Sequence, residues 1–323
     1  MDGFVPVIHG RIADRPDEDD TLVNAENVAH ALESLGYGSE IIEIDLDFTE
    51  LEKLATRKPL AVFNLMEGIR GDGALGHLAA VVLDHLKVPY TGAKTAAYLQ
   101  SASKLMTKHL LRAKGLPHPD YWIADTPPKA AGRVIVKSVD EHASYGMDQK
   151  SVVEAEAALP EITRREAAFG GCFFAEEYIE GREFNISVLE TEKGPQVLPI
   201  AEMAFGDLPE GTLPIIDYAA KWDEEAPSYS LMRRRFTLED EEPALAARLR
   251  EITLDCWRAA GLSGYARVDF RVDRAKAPFI LEVNANPSLA RDAGFAAALT
   301  QAGFSYEDGI GEIVASALRG RVG

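Results

Sequence analysis

The sequence predicts a multidomain chain, an α/β unit followed by α+β units, and three observations carry that expectation. Strand and helix patterns alternate over the first ninety or so residues. Strand signals without intervening helices recur between 172 and 203 and again between 265 and 283. At 323 residues the chain can also build two or three domains with their own cores.

Val5 to Ile8 is a short apolar strand, and Val28, Ala31, Leu32 and Leu35 make a helical stripe that Gly36 ends. Ile41, Ile42 and Ile44 begin a second strand and Leu60 to Phe63 a third. Gly73 to Leu86 reads as a helix, followed by Val88-Pro89-Tyr90. That βαβα rhythm implies a Rossmann-like parallel sheet with helices on its faces. Helices follow at Thr95 to Ala102 and Lys104 to Lys114, the second stopped by Gly115 and Pro117. Arg133 to Lys137 is a buried-type strand, and His142 to Met147 is a loop of small residues. Strands recur at Cys172 to Ile179, Phe184 to Leu189 and Val197 to Met203. From Phe205 to Arg235 periodicity is lost, and Gly206, Pro209, Gly211, Pro214 and Pro227 mark a long loop of the kind that often forms a lid. Helices are expected from about Glu241 to Ala260, near Ala290 to Ala302 and from Tyr306 to Leu318. Asp14 to Asp20 reads as an exposed acidic loop.

Composition excludes several classes. The formal net charge is −18, from 34 basic and 52 acidic residues. Nucleic-acid affinity rests on Lys and Arg neutralising phosphates, so that balance argues against it. No apolar run approaches the about 20 residues that span a bilayer, and no secretory signal is visible. Cys172 and Cys256, far apart and without metal-type spacing, read as reduced core thiols. The expectation is a cytoplasmic protein that binds neither nucleic acid nor membrane.

The most informative stretch lies near the C-terminus. Tyr265 to Val272 and Phe279 to Val283 are rich in aromatic and β-branched residues and read as paired strands. Alternation puts Arg267 and Asp269 on one face, and likewise Glu282 and Asn284. A turn centred on Ala275-Lys276 sets Asp269 opposite Glu282 and Arg267 opposite Asn284. Facing side chains then have Cβ atoms roughly 5 Å apart, where two like charges repel. A hard cation between them relieves the repulsion, and oxygen-only ligands suit Mg²⁺, which usually also holds substrate phosphates. Solvated carboxylates on neighbouring strands are the bland alternative.

Further segments turn this pattern into a resemblance. Pro89-Tyr90-Thr91-Gly92, Ser103-Lys104 through Thr107-Lys108, and Val136-Lys137 come first. Glu176-Glu177-Tyr178-Ile179-Glu180-Gly181-Arg182-Glu183-Phe184, Asp217-Tyr218-Ala219-Ala220-Lys221, Arg267-Val268-Asp269 and Glu282-Val283-Asn284 follow. In this order and spacing the chain resembles the ATP-grasp superfamily, in its D-alanine–D-alanine ligase branch, over nearly its whole length. The resemblance implies an ATP-grasp fold in three parts: 1–93 as the N-terminal domain, 94–180 as the central subdomain and 181–323 as the C-terminal subdomain with lid and metal site. It also implies ATP, two Mg²⁺ ions (or Mn²⁺) and a homodimer.

Family roles carry over residue by residue. Lys104 and Lys137 match lysines on the α- and β-phosphates, and Lys221 the lid lysine that reaches the γ-phosphate. Glu176, Glu177 and Ile179 fall at adenine-hinge positions, and Glu183 at the ribose carboxylate. Asp269, Glu282 and Asn284 would hold the metal ions, and Arg267 would stabilise the oxyanion of the tetrahedral intermediate. Ser144 lies in the loop over the phosphates.

The amino-acid side departs from the family. Its His-Gly-x-x-Gly-Glu-Asp-Gly segment appears as Glu67-Gly68-Ile69-Arg70-Gly71-Asp72-Gly73, and no Glu-Val-Ser is recognisable between Gly10 and Asn24. Trp222 follows the lid lysine where the family has Tyr, and Ala285-Asn286-Pro287-Ser288 replaces Thr-x-Pro-Gly. The family's substrate-capping serine falls near Ala293. The expectation is therefore an ATP-dependent carboxylate–amine ligase acting on small molecules, amino acids or a small peptide, other than two D-alanines. Glu67, Arg70, Ser288 and Arg291 are the candidate substrate residues. Authentic D-alanine ligation, a phosphorylating enzyme that stops before the amide, and a nucleotide-binding protein without ligase activity are the alternatives.

Overall fold

The computed structural model describes residues 3–13, 16–123, 132–141, 143–223, 225, 226, 229 and 231–319, with only the backbone of 16–19. The first unit runs β1 (Val7–Gly10), α1 (Pro16–Ser34), β2 (Ile41–Ile44), α2 (Thr49–Thr56), β3 (Phe63–Asn64) and α3 (Leu78–Leu86). Its strands form a parallel sheet in the order β2-β1-β3. All of β1 is buried, as a parallel strand between helix layers must be.

Two expectations are corrected here. The acidic stretch is no loop: from Pro16 onward it is the start of α1, where Pro fits the first position and acidic residues suit the helix dipole. Asp14 lies outside the described residues. The helix expected from Gly73 is broken into a short 3₁₀ turn, Gly73–Leu75, and α3. Asp72 caps that turn by accepting from the Ala74 amide at 3.0 Å. Gly76 lies so close to the Glu67 carbonyl that a Cβ would sit 2.6 Å from its oxygen.

The middle of the chain gives α4 (Thr95–Ala102), α5 (Lys104–Ala113), β4 (Tyr121–Trp122), β5 (Arg133–Ser138), β6 (Val152–Glu154), α6 (Ala158–Phe169) and β7 (Phe173–Glu177). Its antiparallel sheet has the order β4-β7-β5-β6. Val134, Val136, Ile162 and Phe173 belong to a separate small core between this sheet and α6.

The remainder gives β8 (Gly181–Thr191), β9 (Gly194–Val197), β10 (Ala201–Phe205), α7 (Tyr218–Trp222), β11 (Met232–Arg235), α8 (Leu238–Glu241) and α9 (Pro243–Ala260). After these come β12 (Tyr265–Asp273), β13 (Pro278–Asn284), α10 (Gly294–Gln301) and α11 (Tyr306–Arg319). These strands make a second antiparallel sheet, β11-β10-β8-β12-β13, with β9 also on β8. The strand expected from Val197 to Met203 is two strands, and the expected structureless loop from Phe205 contains α7 and β11. One buried cluster runs from Ile8, Ile42 and Leu83 to Phe184, Leu249, Val268 and Ile280, so the parallel sheet and the large antiparallel sheet share a core. Consecutive strands β7 and β8 belong to different sheets, so the chain changes sheets at Tyr178 to Glu180.

The C-terminal hairpin has the expected register at its functional end, for a reason the sequence concealed. Asp269 pairs with Glu282 and Arg267 with Asn284, but Phe270 pairs with Ile280. Leu281 is therefore an extra residue, a β-bulge beside the acidic pair. Cys256 is buried, and burial pushes its thiol up to about 12. Cys172 is exposed, which corrects its reading as a core thiol. Among the described residues no helix is long and apolar enough to cross a membrane.

Candidate active site

A cavity of ≈ 450 Å³ opens between the two antiparallel sheets and takes in residues of both, of the loop around Ser144 and of α7. β12 and β13 supply its floor. Asp269 is the most constrained group there: Arg267 donates to both its oxygens, Nε to Oδ1 at 2.8 Å and Nη2 to Oδ2 at 2.9 Å. Asn185, on the neighbouring strand β8, adds a third donor at 2.8 Å. Burial alone would lower the pKa of Arg267, but Asp269, then Glu282 and Glu183, raise it on balance. Lys104 Nζ stands 3.9 Å from Glu282 and donates to the Glu141 carbonyl at 2.6 Å. The Asn284 amide oxygen accepts from the Asn286 backbone at 3.1 Å.

This donor set fits a hard divalent ion. Asp269 and Glu282 face each other across the ladder, and Asn284 adds an amide oxygen on the same face. Among the described residues no three His, Cys, Asp or Glu gather as a self-sufficient metal cage. Mg²⁺ usually completes its shell with water and substrate phosphate, so a few protein oxygens suffice to hold it.

The opposite wall comes from β5 and β7. Lys137 Nζ lies 2.5 Å from Glu176 Oε1, and the fully buried Lys108 lies 2.9 Å from Oε2. Burial would raise the pKa of Glu176, yet the two lysines lower it. Its carboxylate is thus engaged by two ammonium groups, and Glu176 also lines the cavity. Glu177 and Ile179 line the cavity where β7 ends. Glu183 lines it too, held by Arg271 at 2.8 Å.

The long loop is docked on the small-residue loop. Ser144 donates to the Ile216 carbonyl at 2.8 Å, the Trp222 indole to the Ala143 carbonyl at 3.2 Å, and the Tyr218 amide to the Met147 carbonyl at 3.0 Å. Ala143 and Ser144 both have positive φ, 57° and 63°, an uncommon conformation for residues with a Cβ. His142 lies outside the described residues. Docking brings Lys221 to the cavity, where burial first and then Arg267 lower its pKa against Glu282, Asp269 and Glu183.

At the far end the structure divides the substrate candidates. Glu67 and Ser288 line the cavity; Arg70 and Arg291 do not. Arg70 instead grips Asp45 through two bonds of 2.8 Å on the surface. Arg291 pairs with Glu307 at 2.6 Å and stacks on Tyr306 at 4.2 Å. Both readings are corrected, because each guanidinium found a nearby carboxylate that sequence distance hid.

Three charged groups were missed. Asp20, on α1, is hydrogen-bonded to Ser288, and burial raises its pKa with help from Asp292. Asp292 itself lines the cavity. Arg234 on β11 also lines it; its hydrogen bond is to the Asp292 carbonyl at 3.4 Å, and among the described residues it has no ion pair. The triple arginine Arg233-Arg234-Arg235 carried a period-2 signal, one side chain on the face opposite its neighbours, but nothing in sequence located the cavity.

Two sheets gripping a cavity with lysines on one wall and paired acids on the other define an ATP-grasp ligase, a class that forms C–N bonds. The family model described as D-ala D-ala ligase C-terminus matches residues 109–315, and the chain belongs to that family. It is 31% identical over 301 residues to an uncharacterized protein, y4sG, of Sinorhizobium fredii, covering 90% of this chain and 86% of that one. It is 28% identical over 316 residues to the D-alanine–D-alanine ligase of Carboxydothermus hydrogenoformans, covering 93% and 94%. The fold matches the crystal structure of the Bacillus anthracis D-alanine–D-alanine ligase complexed with ATP, with a TM-score of 0.75, 17% identity and 98% of each chain covered.

Proposed function

We propose that this protein joins a carboxylic acid to an amine at the expense of ATP, and that its substrates are not two D-alanines. The observation that carries the reading is the facing of Asp269 and Glu282 beneath Lys104, Lys137, Lys221 and Arg267 in one cavity. Phosphoryl transfer needs positioning and neutralised charge more than covalent help, and this arrangement supplies both.

An acid oxygen attacks the γ-phosphorus of ATP, the bridging P–O bond breaks and ADP leaves. The amine nitrogen then attacks the acyl carbon of the acyl phosphate. Inorganic phosphate departs with the C–O electron pair, and the nitrogen loses a proton. Lys137 and Lys104 hold the α- and β-phosphates in this reading, and Lys221 and the loop at Ser144 close over the γ-phosphate. Two Mg²⁺ ions, with Mn²⁺ able to substitute, would sit on Asp269, Glu282 and Asn284 and draw charge from the phosphate oxygens. Arg267 faces the oxyanion of the second step. Glu176, Glu177, Ile179 and Glu183 hold the nucleoside.

The changed substrate pair rests on the far end of the cavity. Asp20, Glu67 and Asp292 offer negative charge for ammonium groups, and Arg234 takes the carboxylate-anchoring role first expected of Arg70 and Arg291. Ala293 replaces a hydroxyl and Trp222 a tyrosine, and a site that loses its polar partners discriminates by orders of magnitude. The test is a phosphate-release screen with Mg-ATP against pooled amino acids and dipeptides, followed by mass analysis. A new amide supports the proposal. Rapid ADP release with D-alanine alone, yielding the dipeptide, overturns the changed-substrate reading, and a phosphorylated product without amide overturns ligation. Lys137→Ala and Glu282→Ala serve as blanks.

A further inference from the structure

Lys108 has no role in the reading above, yet it is a fully buried cation beside the site. Its side chain is 0% exposed, against 15% for Lys137 and 1% for Glu176. From α5 it reaches two other elements. Its ammonium stands 2.9 Å from Glu176 Oε2 on β7 and donates to the Ile280 carbonyl on β13 at 3.1 Å. Ile280 is the residue just before the bulged Leu281, the irregularity that keeps Glu282 opposite Asp269. One buried ammonium therefore touches both the lysine wall and the acidic strand.

Charge counting shows what this does. The trio of Lys108, Glu176 and Lys137 holds two positive charges and one negative, and a buried carboxylate without a partner costs several kcal/mol. With Lys108 fixed beside it, Glu176 is compensated even when Lys137 swings away. Without Lys108 the remaining pair would be neutral, and Lys137 could leave for a phosphate only by stranding Glu176. The other titratable groups near Lys108 are Glu282 on β13 and His118 beyond α5, and neither borders the carboxylate as the two lysines do.

We propose that Lys108 is a positioning residue: it neutralises Glu176 so that the charge of Lys137 is available to an anion. The inference rests on the nucleotide-site reading given under Proposed function.

The test measures Mg-ATP affinity by calorimetry at about pH 8 and about pH 5.5, the lower value chosen to approach carboxylate protonation. Lys108→Met should weaken binding at least about tenfold at the higher pH, equivalent to 1.4 kcal/mol. The deficit should shrink at the lower pH, because burial without Lys108 makes Glu176 easier to protonate in the variant, and protonation releases Lys137. Adding Glu176→Gln should remove the dependence on Lys108, so that the double variant and Glu176→Gln alone agree within about twofold. This pair remains informative if Lys108→Met alone fails to fold. Unchanged affinity in Lys108→Met, an equal deficit at both pH values, or a double variant much weaker than Glu176→Gln overturns the inference. A wild-type protein that takes up no Mg-ATP overturns the functional reading, and this inference with it.

Discussion

Arg267 and Asp269 form a two-pronged ion pair along a single strand, two residues apart, with bonds of 2.8 and 2.9 Å. Both Asp269 oxygens are therefore in use before any cation is considered, and a metal on Asp269 has to share or displace the guanidinium. Arg267→Ala should lower kcat by about 10²- to 10³-fold, the usual cost of an oxyanion donor. Because it frees Asp269, it should also lower the Mg²⁺ concentration needed for half-maximal residual rate. Rate against Mg²⁺ concentration checks both parts, and a raised Mg²⁺ requirement would contradict the competition.

Lys221 sets an alkaline limit. Its pKa lies below the ordinary 10.5, through burial first and the Arg267 charge second. The ammonium form that meets a phosphate is therefore present at lower pH and lost on the way to 10.5. The kcat/KM profile should fall on its alkaline side below that value, and Lys221→Arg, which stays charged, should move the fall upward. Identical alkaline limbs in the two proteins would assign the limb to another group.

Arg165 anchors the loop over the phosphates from behind. It is fully buried and donates to Glu161 Oε1 at 2.7 Å, to Asp148 Oδ1 at 2.6 Å and to the Gly146 carbonyl. Arg165→Met should destabilise the protein by about 1–3 kcal/mol, because the Gly146 carbonyl and Glu161 lose a buried donor while Asp148 stays half exposed to water. Denaturant melts measure the loss. A change below about 1 kcal/mol would place these bonds among the energetically neutral ones.

Acid should destabilise the central sheet. The Glu176 pKa is held below its ordinary 4.5 by Lys108 and Lys137 against the effect of burial. A depressed carboxylate contributes stability above its unfolded pKa and loses it as pH falls through the folded one. Melting temperature should therefore drop as pH decreases below about 4.5, and less steeply in Glu176→Gln.

Arg234 and Arg291 separate the two versions of the substrate end. Arg234→Ala should raise KM for the substrate that brings a carboxylate while KM for ATP stays near wild type. Arg291→Ala, which breaks an exposed pair with Glu307 and a stacking contact with Tyr306 outside the cavity, should leave both constants within about twofold. Reversal of the pattern would return the anchor to Arg291.

Local patterns were enough for the elements themselves. α4 spans Thr95–Ala102 as the apolar periodicity requires, and β2 and β12 begin where β-branched and aromatic residues do. The pairing of Asp269 with Glu282 was legible because alternation has a period of two, although the agreement depended on a bulge at Leu281 that the turn position did not reveal. Shorter elements such as β6 carried too few residues for a periodic signal.

By itself, then, the sequence determined the alternating first unit, the two acidic strands with Arg267, and the lysines in family order. Each is a matter of residue type at short spacing, where chain geometry is nearly fixed. Only the tertiary structure decided that Arg70 and Arg291 are spent on Asp45 and Glu307, and that Asp20 and Arg234, far apart in sequence, line one cavity. It likewise decided that Lys108 is buried against Glu176. A charged side chain goes to whichever opposite charge or desolvated wall the fold brings near, and sequence separation says nothing about that distance.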